Sequence, residues 1–354
     1  MKFEHGGHIR SLARLAGCAV EELLDFSANI NPLGPPDCLQ PVILRHLRGV
    51  VHYPDPACWA LREAIAASFS LLPEEIVCGN GSTELLYALP RALGVSHAVI
   101  PVPAYIDYAA AASRAGLKIT SIPLRAEAGF SVDWRQVEPK LTGADMVIVG
   151  QPGNPSGAMV DPATLLAMAD RHLSTFFVVD EAFADFVADY QTLAVHGRPN
   201  IIVLRSMTKF YAIPGLRLGY ALASAAMVDR ILAHLPPWSV GSLVQAVGAA
   251  ALCEHEYAEK TRRAVTQLRE NLHCDLSHSG AFSVFPSAAN YLLARVEKPS
   301  FDAVQLACKL LAHRIAIRVC DNYEGLDRRY FRVAVRTATE NKQLLNAMRL
   351  EGCE

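Results

Sequence analysis

The 354-residue sequence has no C-x-x-C pair among its nine cysteines and no H-E-x-x-H or similar spacing among its twelve histidines. The number of cysteines is odd and their spacing is wide, so a disulfide framework is not indicated and we expect free thiols in a reducing cytosol. The histidine spacing gives no support to a metal site.

Long apolar runs and an excess of positive charge are also missing. No run approaches the roughly 18 residues that a membrane helix needs. The opening MKFEHGGHIR has no apolar region of the kind that a signal peptide carries. The formal net charge is -2, which gives no basic surface for nucleic acid. We therefore expect a cytoplasmic protein with no membrane or nucleic-acid partner.

The sequence is rich in apolar residues, at 51% of the chain, which is enough for one large domain and a smaller one. From about residue 57, helix-like segments alternate with short, almost continuous apolar runs. The apolar runs lie at 75–80, 97–103, 118–124, 145–152, 175–183, 200–206 and 216–223. Such runs are typical of strands covered on both faces, and the alternation predicts an α/β fold with a mostly parallel sheet.

The pattern changes after residue 224. Helical segments continue to about residue 278, and strand-like and helix-like segments follow. The later strands are predicted at 282–287, 290–296, 315–320 and 330–336, and the later helices at 301–313 and 339–350. We predict an N-terminal segment (1–45) that packs on the small domain and the active site, a large domain (46–230) and a small α+β domain (231–354).

Polar residues follow several of the predicted strands, at the sheet edge where open α/β sheets bind ligands. GNGST opens a helix with Ser82, where free N–H groups suit a phosphate, although an ordinary helix cap explains it equally well. Asn154 lies in QPGNPSG, which turn chemistry alone also explains. Asp180 ends the apolar run before DEAF, and a carboxylate there is costly to bury without a cationic partner.

The segment SMTKFYAIPGLRLGY, at 206–220, places Lys209 beside two hydroxyl groups. A lysine at the end of a buried strand is partly desolvated, which lowers its pKa and makes its amine nucleophilic. Such an amine can react with a cofactor aldehyde, while the hydroxyl groups and Arg217 hold a phosphate. Asp180 would pair with a protonated ring nitrogen. Pyridoxal phosphate requires this set of groups.

The ordered set Asn154, Asp180, Ser206-x-x-Lys209 and Arg217 resembles the fold-type I pyridoxal-phosphate-dependent aminotransferase superfamily, over nearly the whole chain. Within it, HGGHIR, DFSANINPLGPP, HYPDP and NYEGLDRRYFRVAVRTATEN are most similar to the L-threonine-O-3-phosphate decarboxylases of cobalamin biosynthesis. These are relatives of the histidinol-phosphate aminotransferases. The resemblance implies a large domain with a seven-stranded sheet and a homodimer with shared active sites.

The resemblance also implies a role for each matching residue. Lys209 would bond covalently to pyridoxal phosphate, and Asp180 would pair with its ring nitrogen. The other cofactor contacts would come from Ser82, Tyr105, Asn154, Ser206, Arg217 and, in a neighbouring subunit, Tyr53. The substrate contacts would come from His5, Gly6, Asn29, Asn154, Arg318 and Arg332. Arg332 would bind the α-carboxylate, and His5 and Arg318 would lie near the substrate phosphate. Taken singly, an arginine in an alternating strand of this kind is more commonly a surface residue.

The implied reaction is decarboxylation of L-threonine O-3-phosphate to (R)-1-amino-2-propanol O-2-phosphate. Many aminotransferases carry a tyrosine three residues after the aspartate, where this chain has Phe183, which fits a relative that does not transaminate. The alternative is an aminotransferase for histidinol phosphate or an aromatic amino acid. The choice depends on a substrate torsion angle that sequence does not show.

Two non-enzymatic interpretations are weaker. A pyridoxal-phosphate-binding regulator usually carries an added DNA-binding domain, for which this sequence offers neither length nor a basic patch. A purely structural relative would be expected to have lost Lys209 or Asp180, and both are present.

Overall fold

A computed structural model describes residues 6–352, so the predicted substrate residue His5 lies outside the described residues. The strands are β1 (Leu24–Asp25), β2 (Ile76–Asn80), β3 (His97–Val102), β4 (Lys118–Pro123), β5 (Asp145–Gly150), β6 (Phe176–Asp180), β7 (Ile201–Ser206), β8 (Leu218–Leu222), β9 (Phe282–Val284), β10 (Tyr291–Val296), β11 (Ile315–Ala316), β12 (Arg318–Val319) and β13 (Tyr330–Ala334). The α-helices are α1 (Ile9–Ala16), α2 (Leu39–His46), α3 (Trp59–Phe69), α4 (Gly81–Leu93), α5 (Ile106–Arg114), α6 (Trp134–Val137), α7 (Pro162–Arg171), α8 (Met207–Phe210), α9 (Ala225–Leu232), α10 (Ser242–Leu252), α11 (His255–His278), α12 (Ala303–Ala312) and α13 (Ala338–Leu350).

The largest sheet has seven strands in the order β2-β8-β7-β6-β5-β3-β4. The strands from β7 to β4 pair in parallel, whereas β8 runs antiparallel to both of its neighbours. The predicted α/β fold with a mostly parallel seven-stranded sheet is therefore confirmed.

Helices cover both faces of this sheet, which explains why its central strands are apolar throughout. Along β6, Phe177 and Val179 belong to one core and Val178 to the other, as the two-residue repeat of a strand requires. The first core includes residues of α3 and α10, and the second includes residues of α4 and α5. A strand buried on both faces has no polar alternation, which is why the sequence pattern revealed it.

The later strands form a separate antiparallel sheet in the order β12-β13-β10-β9. Its core contains residues of α11, α12 and α13, together with Phe26 from the N-terminal part of the chain. That part also contributes β1, which pairs in parallel with β11. The division into three segments stays a prediction.

Three local features differ from the sequence-based expectations. The strand predicted at 315–320 is two strands, because β11 pairs with β1 and β12 pairs with β13. The strand predicted at 175–183 ends at Asp180, whose Oδ1 accepts a hydrogen bond from the backbone N–H of Ala182 and turns the chain. Helices α1 and α2 were not predicted.

Across residues 6–352, no helix combines the length and apolar character that a membrane crossing requires.

Arg205, on β7, is buried against two carboxylates that follow the neighbouring strand. Its Nη1 donates to Glu181 Oε2 at 2.8 Å, and its Nη2 donates to Asp185 Oδ1. Glu181 has no exposed surface. Because Glu181 follows Asp180 and Arg205 precedes Ser206, this ion pair ties together the ends of β6 and β7.

We expect Arg205→Met to lower the free energy of unfolding by about 3–5 kcal/mol, because it leaves Glu181 buried without its cation. Urea unfolding followed by circular dichroism measures the loss. Arg198→Met is the matched control, since Arg198 pairs with Asp170 near the surface, where an ion pair contributes little. Equal losses in the two variants would contradict a structural role for the buried pair.

Candidate active site

Strand ends and strand starts meet at one edge of the seven-stranded sheet. Because β3, β5, β6 and β7 are parallel, the segments that follow them bring Tyr105, Asn154, Asp180 and Lys209 to this edge. Strand β8 runs the opposite way, so Arg217, which precedes it, lies at the same edge. All five residues line a cleft of about 490 Å³.

Lys209 is the amine of the cleft. Helix α8 follows β7 directly, and within it Lys209 Nζ donates to Ser206 Oγ at 3.1 Å, while that oxygen lies 2.8 Å from Thr208 Oγ1. Burial lowers the pKa of Lys209 to about 8; Asp180 opposes this change, and the cations Arg217 and Arg332 add to it. The amine is therefore available in its neutral, nucleophilic form near neutral pH.

Asp180 is the carboxylate of the cleft. Its Oδ2 accepts a hydrogen bond from Tyr108 Oη at 2.7 Å, and its Oδ1 accepts one from the Ala182 N–H at 3.0 Å. Burial raises the pKa of Asp180, although the bond from Tyr108 and the charge of Lys209 pull it down. Burial thus outweighs the attraction between Asp180 and Lys209 at both groups, which leaves Asp180 in need of a further cationic partner.

A glycine-lined cradle lies where β2 leads into α4. Gly81 has a φ of +76°, and a Cβ there would lie 2.6 Å from Arg217 Nη2, so only glycine lets the guanidinium lie across the helix start. Arg217 itself has a φ of +54°, a strained conformation for a non-glycine residue. The Asn80 side chain does not cap α4, and Ser82 and Thr83 line the cleft. Helix N–H groups beside an arginine suit a phosphate.

Arg332 and Asn154 meet on the other side of the cleft. Arg332 Nη1 donates to Asn154 Oδ1 at 2.6 Å, and its Nη2 donates to the Ser27 carbonyl at 2.9 Å. Tyr323 Oη also donates to Asn154 Oδ1, at 3.4 Å. Since the Asn154 oxygen is occupied by these donors, its Nδ2 group is left to donate into the cleft.

Two buried polar groups in the cleft wall lack a partner in the described part of the chain: a carboxylate for one, a hydrogen-bond donor for the other. Arg332 is 5% exposed, and no carboxylate in the described part of the chain pairs with it. Asn29 is 6% exposed, and its Oδ1 has no hydrogen-bond partner between residues 6 and 352. A buried cation and a buried carbonyl oxygen both need partners, so these positions fit an anionic ligand that also carries a donor. Together with the cradle and Asp180, they fit pyridoxal phosphate and an amino-acid substrate.

Most residues predicted from the sequence lie in this cleft. Those that line it are Gly6, Asn29, Ser82, Tyr105, Asn154, Asp180, Lys209, Arg217 and Arg332. Ser206 lies beneath the lysine as its hydrogen-bond acceptor. Arg318 does not line the cleft, because its guanidinium lies behind Tyr323, 5.4 Å from the centre of that ring. Tyr53 is 82% exposed and packs against Trp238 at a tilt, with ring centres 4.9 Å apart, and it does not line the cleft of its own chain.

The residues of the cleft that were not predicted as site residues include Tyr108, Ser27 and Tyr323. Tyr108 follows Tyr105 by one helical turn, and this i, i+3 spacing was the signal that places both rings on the cleft side of α5. Ser27 and Tyr323 carry no comparable signal, because their contacts with Arg332 and Asn154 join segments that are distant in sequence.

Comparisons with known proteins agree with this geometry. The family model for aminotransferase class I and II matches residues 21–348. Threonine-phosphate decarboxylase from Salmonella typhimurium is 38% identical over 350 residues, covering 98% of this chain and 95% of that protein. The adenosylcobalamin biosynthesis bifunctional protein CobDQ from Leptospira interrogans is 34% identical over 350 residues, and the chain spans 40% of that protein's length. The solved histidinol-phosphate aminotransferase from Clostridium acetobutylicum has a TM-score of 0.88 at 27% identity, covering 93% of this chain and 99% of that one.

The lowered pKa of Lys209 predicts how its labelling by a small aromatic aldehyde depends on pH. Only the neutral amine reacts, so the yield of borohydride-trapped Lys209 should rise to half its maximum near pH 8, not near the ordinary 10.5. Mass spectrometry of the tryptic peptide measures the yield, and Lys209→Ala is the blank. In Arg217→Gln the midpoint should move to higher pH, because a cation that lowers this pKa is gone. A midpoint near 10.5 in the unmodified chain would show that the amine is solvated.

Proposed function

The chain belongs to the class I and II aminotransferase family, and within this family we propose that it decarboxylates L-threonine O-3-phosphate to (R)-1-amino-2-propanol O-2-phosphate for cobalamin biosynthesis. The observation that carries the proposal is its similarity to the Salmonella decarboxylase over nearly the full length of both chains. The cleft supports it, since the unpaired Arg332 suits an anionic substrate. The chain spans only 40% of the longer Leptospira protein, so the proposal covers no activity of the remaining part.

The cofactor is pyridoxal phosphate, which this family and the cleft both require. Lys209 would bond to its aldehyde, and Asp180 would hold the proton on its ring nitrogen. Its phosphate would lie at the start of α4, against Ser82 and Arg217. The Asn154 Nδ2 group would donate to the ring hydroxyl. When bound, pyridoxal phosphate supplies a protonated aromatic ring that accepts the electron pair released at the substrate α-carbon.

The chain's own groups carry out the rest of the reaction. Arg332 binds and orients the α-carboxylate, so that the bond to the α-carbon can break and CO₂ can leave. Lys209, which lines the cleft together with Asp180, would gain a proton from the incoming substrate amine. It then donates that proton to the α-carbon, so a C–H bond replaces the C–C bond that is lost. Tyr105 would cover the ring and exclude water.

The register of the smaller sheet supports a substrate with two anionic groups. Arg318 on β12 lies directly opposite Arg332 on β13, and each arginine is 5% exposed. Residues directly opposite on neighbouring strands lie on the same face of the sheet, so both guanidinium groups belong to one side of it. In this proposal Arg332 takes the carboxylate, and Gly6 and Asn29 line the same cleft. Arg318, which does not line the cleft, would act near the substrate phosphate together with His5.

Incubation with L-threonine O-3-phosphate and pyridoxal phosphate, without any 2-oxo acid, should release CO₂ and aminopropanol phosphate in equal amounts. Arg332→Leu should lower kcat/KM by about 10²-fold or more, because it removes a charge-assisted clamp from the carboxylate. Trapped ¹⁴CO₂ and phosphorus NMR measure the two products. Strict dependence on a 2-oxo acid, with no CO₂, would contradict decarboxylation and favour transamination of histidinol phosphate or an aromatic amino acid.

We also propose a cytoplasmic homodimer whose active sites contain residues of both subunits. Apolar side chains of Val50 and Val51 are 55% and 78% exposed, close in sequence to the exposed Tyr53. Large apolar side chains clustered at a surface are typical of a protein interface. Because Tyr53 does not line the cleft of its own chain, it can contact a cofactor phosphate only in a neighbouring subunit.

Subunit mixing tests this arrangement. Lys209→Ala and Tyr53→Ala should each be poorly active at limiting cofactor, whereas a mixture exchanged under mild denaturant should regain activity. The hybrid dimer pairs an intact Lys209 with an intact Tyr53 across the interface. Activity at limiting pyridoxal phosphate is the measurement, with sedimentation analysis of each parent as control. No gain on mixing, or a monomeric parent chain, would contradict shared sites.

A further inference from the structure

The bond between Tyr108 and Asp180 is not explained by packing alone. Tyr108 Oη lies 2.7 Å from Asp180 Oδ2, a normal distance for a hydroxyl group that donates to a carboxylate oxygen. The Tyr108 ring is 2% exposed, and Tyr105 packs against it edge-on, with ring centres 5.7 Å apart. The hydroxyl group is therefore held at a fixed position beside the carboxylate.

Both oxygens of Asp180 are fixed in this way. Oδ1 accepts from the Ala182 N–H and Oδ2 accepts from Tyr108, so the carboxylate cannot rotate without losing a bond. A carboxylate oxygen accepts two hydrogen bonds, so each still has capacity for one further donor from the cleft. A phenyl group at position 108 would keep the packing but would lose the directional bond.

We propose that Tyr108 is a positioning residue, whose hydroxyl group keeps the buried Asp180 carboxylate ionised and turned toward the ring nitrogen of the cofactor. The proposal rests on the proposed function only in that pyridoxal phosphate occupies the cleft. In the sequence, Tyr108 follows Tyr105 by three residues at the start of α5, which places both rings on one face of the helix. From the sequence, a role was predicted for Tyr105 alone.

The electrostatic surroundings of Asp180 favour such a role. The titratable groups around it are Lys209 from α8, Tyr105 and Tyr108 from the start of α5, and Tyr291 from β10. Lys209 is the sole cation of this set, and it is needed for chemistry. Burial raises the pKa of Asp180, and the hydrogen bond from Tyr108 is the largest of the effects that lower it. Burial also raises the pKa of Tyr108 well above its usual range, so its hydroxyl group stays protonated and donates.

Glu181, the residue after Asp180, also accepts a hydrogen bond from a tyrosine, and this tyrosine provides a matched control. Tyr190 Oη donates to Glu181 Oε1 at 2.8 Å, which is the same kind of bond to the next carboxylate. Glu181 does not line the cleft and is paired with Arg205. Tyr190→Phe therefore removes an equivalent hydroxyl group without touching Asp180.

The first experiment measures protonation of Asp180 in the protein without cofactor. Infrared difference spectra recorded during a pH titration follow the carboxyl C=O band, which Asp180→Asn identifies. In Tyr108→Phe the midpoint should move up by about one pH unit, a roughly tenfold change in proton affinity, because a hydrogen bond to the charged form is lost. Tyr190→Phe should leave the midpoint unchanged. No shift in Tyr108→Phe, or equal shifts in both variants, would overturn the proposal.

The second experiment measures the dissociation constant of pyridoxal phosphate against pH. A protonated Asp180 cannot neutralise the ring nitrogen, so affinity should fall on the acid side, and in Tyr108→Phe the fall should begin at higher pH by the same interval. If affinity in Tyr108→Phe falls at the same acidic pH as in the unmodified protein, Tyr108 does not position Asp180 for the cofactor. Failure to bind pyridoxal phosphate at all would contradict the proposed function instead, and the infrared titration would still decide whether Tyr108 controls Asp180.

Discussion

The site depends on the desolvation of one amine and one carboxylate at the ends of adjacent parallel strands. Lys209 and Asp180 are neighbours because β7 pairs with β6. The buried Arg205–Glu181 ion pair joins the ends of the same two strands. Burial shifts both pKa values toward the neutral forms, in spite of the attraction between the two groups. In the proposed function, a cofactor aldehyde would bond to the amine, and a protonated ring nitrogen would pair with the carboxylate.

The arrangement of cations divides the cleft into separate anion sites. Arg217 lies over the start of α4, where Gly81 leaves room for it and the helix N–H groups add to its effect. Arg332 lies on the four-stranded sheet, opposite Arg318. Both Arg217 and Arg332 also contribute to the low pKa of Lys209. The two cations that we propose as anion-binding groups therefore also keep the amine reactive, so both effects have one electrostatic cause.

The sequence predicted the seven-stranded sheet, because strands buried on both faces are continuous apolar runs whose ends are easy to find. Asp180, Lys209 and Arg217 could be predicted since each lies at an end of such a strand or within three residues of it. The substrate side was harder to predict. The short strands β11 and β12 looked like one strand, because their separation depends on pairing with β1, which is distant in sequence. Ser27 and Tyr323 act through tertiary contacts alone, and no local pattern marks such contacts.

Three distant parts of the chain fix the orientation of Arg332, the residue that we propose to align the substrate carboxylate. Asn154 accepts from one nitrogen, the Ser27 carbonyl accepts from another, and the Tyr291 ring lies 5.3 Å from the guanidinium. Ser27 Oγ also accepts from the Gly7 N–H, and a Cβ at Gly6 would lie 2.0 Å from the Ser27 carbonyl oxygen. Ser27 therefore contacts both the N-terminal residue Gly7 and Arg332, so a change in the N-terminal part of the chain would reach the arginine through one residue.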